Sequence, residues 1–252
     1  MSEADGSAAL GAGGLGVASW ERVRGVWREL LGAPSAFRGA GCVVAAGRGD
    51  ERRVGVVRLG DAVAVSAPAE LVPVFREVAA AAAVVDLTDP GAVVELLGPV
   101  AAVAEVRGPA VLGYADAGCF KVRPDSGVAT LAAGDASVVG LVAACGPEDA
   151  AETSITEMTS PVSVVRVDGQ VVAAAGYEVW GGELAHVGVL THPRFRGRGL
   201  GAAVASATVA HALASGLVVQ WRARVTIVAS RRIARSLGFV EVGRQLTVRL
   251  RR

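Results

Sequence analysis

Between Trp20 and Leu31 apolar side chains fall at Trp20, Val23, Trp27, Leu30 and Leu31, a spacing of three to four that predicts a helix stopped by Gly32 and Pro34. The spacing then drops to two. Residues 41–46 and 53–66 read as strands, the second run folding back at Leu59-Gly60-Asp61, before helical spacing returns over 69–82. Pro90 opens another helix as far as Leu97, and Asp89 is placed to accept a first-turn N–H as its N-cap. Residues 101–114 contain a further strand, expected to turn at Gly108-Pro109.

Pro124, Asp125, Ser126 and Gly127 make 120–127 the best linker. Beyond it, Ala136, Val139, Leu141 and Val142 put a helix at 135–144, and polar residues around Ile155 and Met158 suit a short helix or loop at 148–159. The clearest hairpin is 162–180, where two alternating runs flank Asp168-Gly169, a dipeptide suited to two successive left-handed positions. A strand at 183–190, an Ala-rich helix to about Ser215 capped by Gly216, a strand at 218–225, a helix at 230–236 and a last strand or hairpin at 240–250 complete the order. The expected organisation is a flexible leader (1–16), an N-terminal α/β lobe (17–124) and a second mixed α/β domain (125–252). The first lobe carries no Gly-rich anion loop and no cluster of acid, base and nucleophile. Gly11-x-Gly13-x-x-Gly16 formally matches a dinucleotide fingerprint, but no strand precedes it.

The apolar content is mostly Ala and Val, which signals small-residue helices and strands instead of membrane spans. Glu3 and Asp5 near the start argue against a secretory signal. Three scattered cysteines, Cys42, Cys119 and Cys145, fit a reducing, cytoplasmic setting, and no metal spacing is present. Charge changes the picture more. Net charge is +1, yet residues 194–252 hold twelve of the 25 Lys and Arg and one of the 24 acids, Glu241. A ligand with several phosphates accounts for that asymmetry. A nucleic-acid surface would account for it too, but basic residues are not interleaved with aromatics and no reader motif occurs, so nucleic acid is not expected.

The chemistry concentrates at 185–203, where a β-like run meets Pro193 and then Arg196-Gly197-Arg198-Gly199-Leu200-Gly201 opens the Ala-rich helix. First-turn N–H groups lack intrahelical partners and the helix dipole makes that end partly positive, so an anion fits there. Glycines at 197, 199 and 201 allow close approach of the main chain, and Arg194, Arg196 and Arg198 add charge-assisted donors. Gly197-x-Gly199-x-x-Ala202 satisfies a dinucleotide fingerprint, but the ribose-binding acid expected about 20 residues on is missing. The one lysine, Lys121, lies elsewhere, which argues against a nucleotide-hydrolysing P-loop.

The pattern Arg196-x-x-Gly199-x-Gly201, preceded by Val189-x-x-x-Pro193, is similar to the motif of the GNAT superfamily of acyl-CoA-dependent N-acetyltransferases. A second segment, 227–239, resembles that superfamily's closing helix and its Gly-Phe end, here Gly238-Phe239. The resemblance covers about 128–250. It implies a central mixed, mostly antiparallel sheet flanked by helices, preceded by a smaller lobe that is either a degenerate copy or a substrate-side addition. It implies transfer of an acetyl group from acetyl-CoA, with no metal, to a primary amine of a small molecule or protein N-terminus. It also implies that the main chain of Gly188, Val189 and Leu190 holds the pantetheine arm while Phe195, Arg196, Gly197, Arg198, Gly199, Leu200, Gly201 and Ala202 hold the diphosphate.

An amine of pKa near 10 is about a thousandfold protonated at neutral pH, so direct attack on the thioester needs a base. Glu183, His186 and Glu178 are the candidates, and strand alternation places Glu183 and His186 on opposite faces. Ala185 stands where some relatives carry a glutamate. Two departures bear on the leaving thiolate: Ile227 replaces an Asn that often contacts pantetheine, and Ala234 replaces a frequent acidic Tyr. Ser230 is the candidate acid, with helix N-cap as its structural alternative. His192 is expected to cap the anion turn, His211 to be a helix-face residue, and Trp180 and Trp221 to line a pocket or fill the core. A catalytically silent acyl-CoA-binding regulator is the alternative function, and a homodimer stays open.

Overall fold

The structure, a computed structural model, describes residues 14–47, 52–81, 85–124 and 127–251. Most of the expected leader (1–13), including Gly11 and Gly13 of the formal fingerprint, lies outside these residues, as do Ala82 at the end of an expected helix and Asp125-Ser126 of the expected linker. Leu15, by contrast, is fully buried, and the Gly16 N–H donates to Asp116 Oδ2 at 2.9 Å.

In chain order the elements are α1 (Val17–Leu30), β1 (Gly41–Ala46), β2 (Arg53–Leu59), β3 (Ala62–Ala67), α2 (Val72–Ala80), α3 (Pro90–Leu97) and β4 (Val103–Ala115). Next come β5 (Val128–Leu131), α4 (Ala136–Cys145), α5 (Pro147–Thr153), β6 (Val162–Val167), β7 (Gln170–Trp180) and β8 (Leu184–Thr191). Finally come α6 (Leu200–Ala214), β9 (Val218–Arg224), α7 (Val228–Ser236) and β10 (Val240–Leu250). Residue contacts divide the chain into two units. One comprises 14–20, Gly113–Arg222 and Val228–Val240; the other comprises Glu21–Leu112, Ala223–Ile227 and 241–251.

In the first unit β5, β6, β7 and β8 pair antiparallel in sequence order, and β8 pairs parallel with β9. The β6–β7 hairpin closes as its sequence predicts, with Asp168 at φ +48° and Gly169 at φ +77°. Alternation along the strands decides which helix each face receives. Ala174 and Leu190 join Val138, Leu141, Ile155 and Met158 beneath α4 and α5, whereas Ala173, Ala175 and Val189 face Val204 of α6. Alanines on that second face and on α6 let helix and sheet approach closely, and Val204 and Val209 are fully buried there. Each such valine contributes roughly 1.5–3 kcal/mol.

The second unit has its own core. β1 runs parallel to β3, β3 antiparallel to β2, and β2 antiparallel to β10. Val54, Val56, Val65, Phe75, Leu97, Leu246 and Val248 pack in one cluster. Asp89 caps α3, accepting the Ala92 N–H at 2.8 Å. One expected turn is replaced by continuous strand: β4 runs straight through Gly108-Pro109. Gly108 sits at φ +113°, and a Cβ there would lie 2.7 Å from the Gln245 oxygen, so the glycine serves close passage of a neighbouring backbone instead of a reversal.

Candidate active site

The site is built on β8. Its first four residues pair with β9, Leu184 with Val218 through Val187 with Trp221, and the ladder stops there. Gly188 to Thr191 keep β7 on their other side, opposite Gly176 back to Ala173. The main chain of Gly188, Val189 and Leu190 therefore runs beyond the last β8–β9 pair, leaving an opening in the sheet. On the α5 side Gly188 is packed to the limit: a Cβ would meet the Thr153 oxygen at 2.3 Å and Met158 Cε at 2.5 Å.

β8 leads into the anion turn. His192 N–H donates to Val172 O, and the His192 imidazole Nδ1 accepts the Arg194 N–H at 3.2 Å, capping a 3-10 turn at Pro193–Phe195. Gly197 and Gly199 follow at φ +77° and +80°, with open space where side chains would be. Gly199 is the N-cap of α6, and its oxygen accepts the Ala203 N–H at 3.1 Å. This leaves the N–H groups of Leu200, Gly201 and Ala202 as the first turn of the helix. Gly201 has a packing role instead, since a Cβ would lie 2.9 Å from Thr191 Oγ1. Arg198 lies over the Phe195 ring at 5.1 Å, and Phe195 meets His192 edge-on. Arg196 donates through Nε to Thr191 O and pairs through Nη2 with Asp149 of α5. Sequence reasoning missed that ion pair, whose partners are 47 residues apart.

His186 precedes the opening by two residues. It is 8% exposed, directly opposite Glu178 on β7 and Gln220 on β9. The Trp180 ring packs over it at 4.5 Å, and the Arg222 guanidinium stands 5.5 Å from the Trp180 ring centre. Burial, with the Arg222 charge adding to it, pushes the imidazole down to about 3, so the ring is neutral at physiological pH. Gln220, fully buried, lies between His186 Nδ1 at 3.4 Å and the buried Tyr114 hydroxyl at 2.9 Å. No sequence motif marks Tyr114 or Gln220; the available signal is a glutamine inside the apolar run Leu217-Val218-Val219-Gln220-Trp221.

Glu183 sits in the turn before β8, half-buried, its N–H donating to Trp180 O and its oxygen accepting from Val218 N–H. Four residues separate it from Gly188. Glu178 accepts from the Trp180 indole. Ser230 lies inside α7, the third residue of the helix and not its N-cap. Its Oγ accepts the Trp221 indole N–H at 2.9 Å, which leaves the hydroxyl hydrogen available for donation. Ala234 is buried, and Trp221 is buried edge-on to Phe239. His211 is an exposed position of α6 and bonds Tyr177 OH through Nδ1 at 3.0 Å. Thus β8, the turn, Trp221 and Ser230 belong to the same unit as His186 and Glu183. Among the described residues no group of three metal-binding side chains occurs, and no helix is long and apolar enough to cross a membrane.

Comparison with known proteins bears on the same stretch. The chain is similar to a crystal structure described as a GNAT-family acetyltransferase from Novosphingobium aromaticivorans, at 29% identity over 60% of this chain and 67% of that one, with a TM-score of 0.49. A GCN5-related N-acetyltransferase-like protein from Streptococcus suis matches at 17% identity over 92% of this chain and all of its own, also at 0.49. A Salmonella typhimurium structure described as an acetyltransferase with its cofactor acetyl-CoA matches at 19% identity, covering 50% of this chain and 92% of that one, at 0.36. No curated protein matches the chain. The family model described as GNAT acetyltransferase matches residues 163–245, from β6 through the anion turn and α7 into β10. Over residues 163–245, a third of its length, this chain is similar to the GNAT acetyltransferase family.

Proposed function

We propose that the protein is an acetyl-CoA-dependent N-acetyltransferase that moves the acetyl group to a primary amine by direct attack on the thioester. One observation carries this reading: β8 loses its β9 partner at Gly188 and then runs into a helix N-terminus ringed by arginines. In this reading the main chain of Gly188, Val189 and Leu190 binds the amides of the pantetheine arm, as a missing strand would. Phe195 to Ala202 hold the diphosphate through main-chain N–H groups, with Arg196 and Arg198 adding charge. An N–H at the opening polarises the thioester oxygen. Acetyl-CoA is the cosubstrate, and no metal has a role.

The acceptor amine arrives protonated, and Glu183 removes its proton through water while Ser230 returns one to the departing thiolate. A hydroxyl that already accepts from Trp221 is oriented to donate. The acceptor is a small molecule or a protein N-terminus, and three free cysteines agree with work in the cytoplasm. A second reading, a silent acyl-CoA-binding regulator, is favoured by Ile227 and Ala234, which lack the polar groups common at those positions in the superfamily.

Calorimetric titration with acetyl-CoA and CoA tests the site, using wild type and an Arg196→Ala, Gly199→Asp double variant. Micromolar binding that falls at least tenfold in the variant is expected, and no binding at millimolar ligand would refute the reading. Turnover of acetyl-CoA against a panel of amines then separates enzyme from regulator.

A further inference from the structure

The chain Tyr114–Gln220–His186 joins three strands through buried polar groups, and its last member has two nitrogens with different surroundings. The Tyr114 hydroxyl donates to Gln220 Oε1 at 2.9 Å. That leaves the Gln220 amide nitrogen, which carries only hydrogens toward a partner, facing His186 Nδ1 at 3.4 Å. Nδ1 must then accept with its lone pair, and a neutral ring carries its one proton on Nε2. Among the described residues no buried side-chain nitrogen or oxygen lacks a partner. Nε2 has no such bond among them, so the ring's small exposure lies at that edge. Two residues of extended strand put His186 within about 7 Å of Gly188, where the opening begins.

We infer that Gln220, backed by Tyr114, is a positioning residue that holds His186 protonated on Nε2, so that the imidazole meets the acyl group as a hydrogen-bond donor and not as a base. The donor role rests on the acetyltransferase reading; the tautomer does not. The charged and titratable groups around the ring agree with a permanently neutral donor. Arg222 on β9 opposes imidazolium, Glu178 on β7 is engaged by the Trp180 indole, and Tyr114 on β4 is engaged by Gln220. A ring so hard to protonate is a weak acceptor of an ammonium proton, whereas its N–H costs nothing in reorganisation when charge develops on the thioester oxygen.

Long-range proton–nitrogen NMR on the full chain with labelled histidine reads the tautomer without substrate. The proton is expected on Nε2, unchanged from pH 5 to 9; a proton on Nδ1, or titration near the ordinary imidazole value, overturns the inference. Gln220→Glu presents a carboxylate that can only accept, so the proton should move to Nδ1 and the ring should titrate inside that window. A folded Gln220→Glu protein with an unchanged spectrum also overturns it, and Tyr114→Phe, which frees the amide to rotate, should give both tautomers. Added acetyl-CoA should shift the Nε2 resonance. If calorimetry reports binding and that resonance stays still, the donor role fails while the functional reading survives. If acetyl-CoA does not bind, the functional reading and the donor role fail together, and the tautomer result still decides the part played by Gln220. In turnover, His186→Gln keeps an amide donor near Nε2 and should cost about tenfold in kcat, against roughly 10²–10³ for His186→Leu. Equal losses would make the ring a base.

Discussion

The two ends of β8 are built to opposite plans. At the N-terminal end the strand is paired with β7 on one side and β9 on the other, and the side chains include a buried polar chain at His186 and Gln220. At the C-terminal end one sheet edge is given up, and the strand passes into a turn with open space where side chains would stand at Gly197 and Gly199. In the proposed reading the paired end fixes a proton position and the open end presents donors to the cofactor. A transferase of the kind proposed would need both within one strand, because a rigid segment keeps reacting groups in register with a cofactor held by its phosphates.

The largest effect that can break this comparison is acid. The unfolded imidazole takes up its proton near 6.5, while folded His186 resists until about 3. The stability it confers is therefore complete above pH 6.5 and is lost as pH falls from there toward 3, by roughly 1.4 kcal/mol per unit. Melting temperature followed from pH 7 to 4 should fall more steeply for wild type than for His186→Gln; parallel curves would mean the paired end is open to water.

The next effect is at the junction of the two ends. Gly188→Ala places a methyl group against the Thr153 carbonyl and Met158, an overpacking cost of about 1–3 kcal/mol. Thermal unfolding should drop by roughly 3–10 °C. An unchanged melting temperature would show that α5 moves aside freely and that the junction is not rigid.

The smallest effect is at the open end. Asp149→Asn removes the carboxylate that occupies Arg196, a half-exposed pair worth at most about 1 kcal/mol. Acetyl-CoA should bind up to about fivefold more tightly, with little change in stability. Weaker binding would mean that Asp149 orders the turn and does not compete with the ligand.

Features whose signals are local could be read from the sequence. Asp168-Gly169 between alternating runs marks the hairpin, arginine–glycine alternation after a β run marks the turn before α6, and Asp89 marks a helix start, accepting the N–H expected of an N-cap. What could not be read depends on residues far apart in the chain. Tyr114 and Gln220 are 106 residues apart, and Arg196 and Asp149 are 47 apart. Nothing in the composition around either partner announces the other. Gly108-Pro109 misleads for a different reason: the same left-handed glycine that closes a turn also lets a strand pass close to a neighbour, and only the neighbour decides. Ser230 differs again, because Ser at a helix start suggests a cap until α7 is found to begin two residues earlier.

The proposed site on β8 is read through N–H and C=O groups, and such a site has an odd genetic signature. Every amino acid except proline supplies the same two groups, so replacing Val189 or Leu190 by alanine erases side-chain packing and leaves the ligand's lettering intact. On the proposed reading, alanine at Val189 or Leu190 would leave acetyl-CoA affinity little changed, and what it costs, most of all at the buried Leu190, would be stability. Only proline, or a backbone ester in place of the amide, would make the silent positions speak.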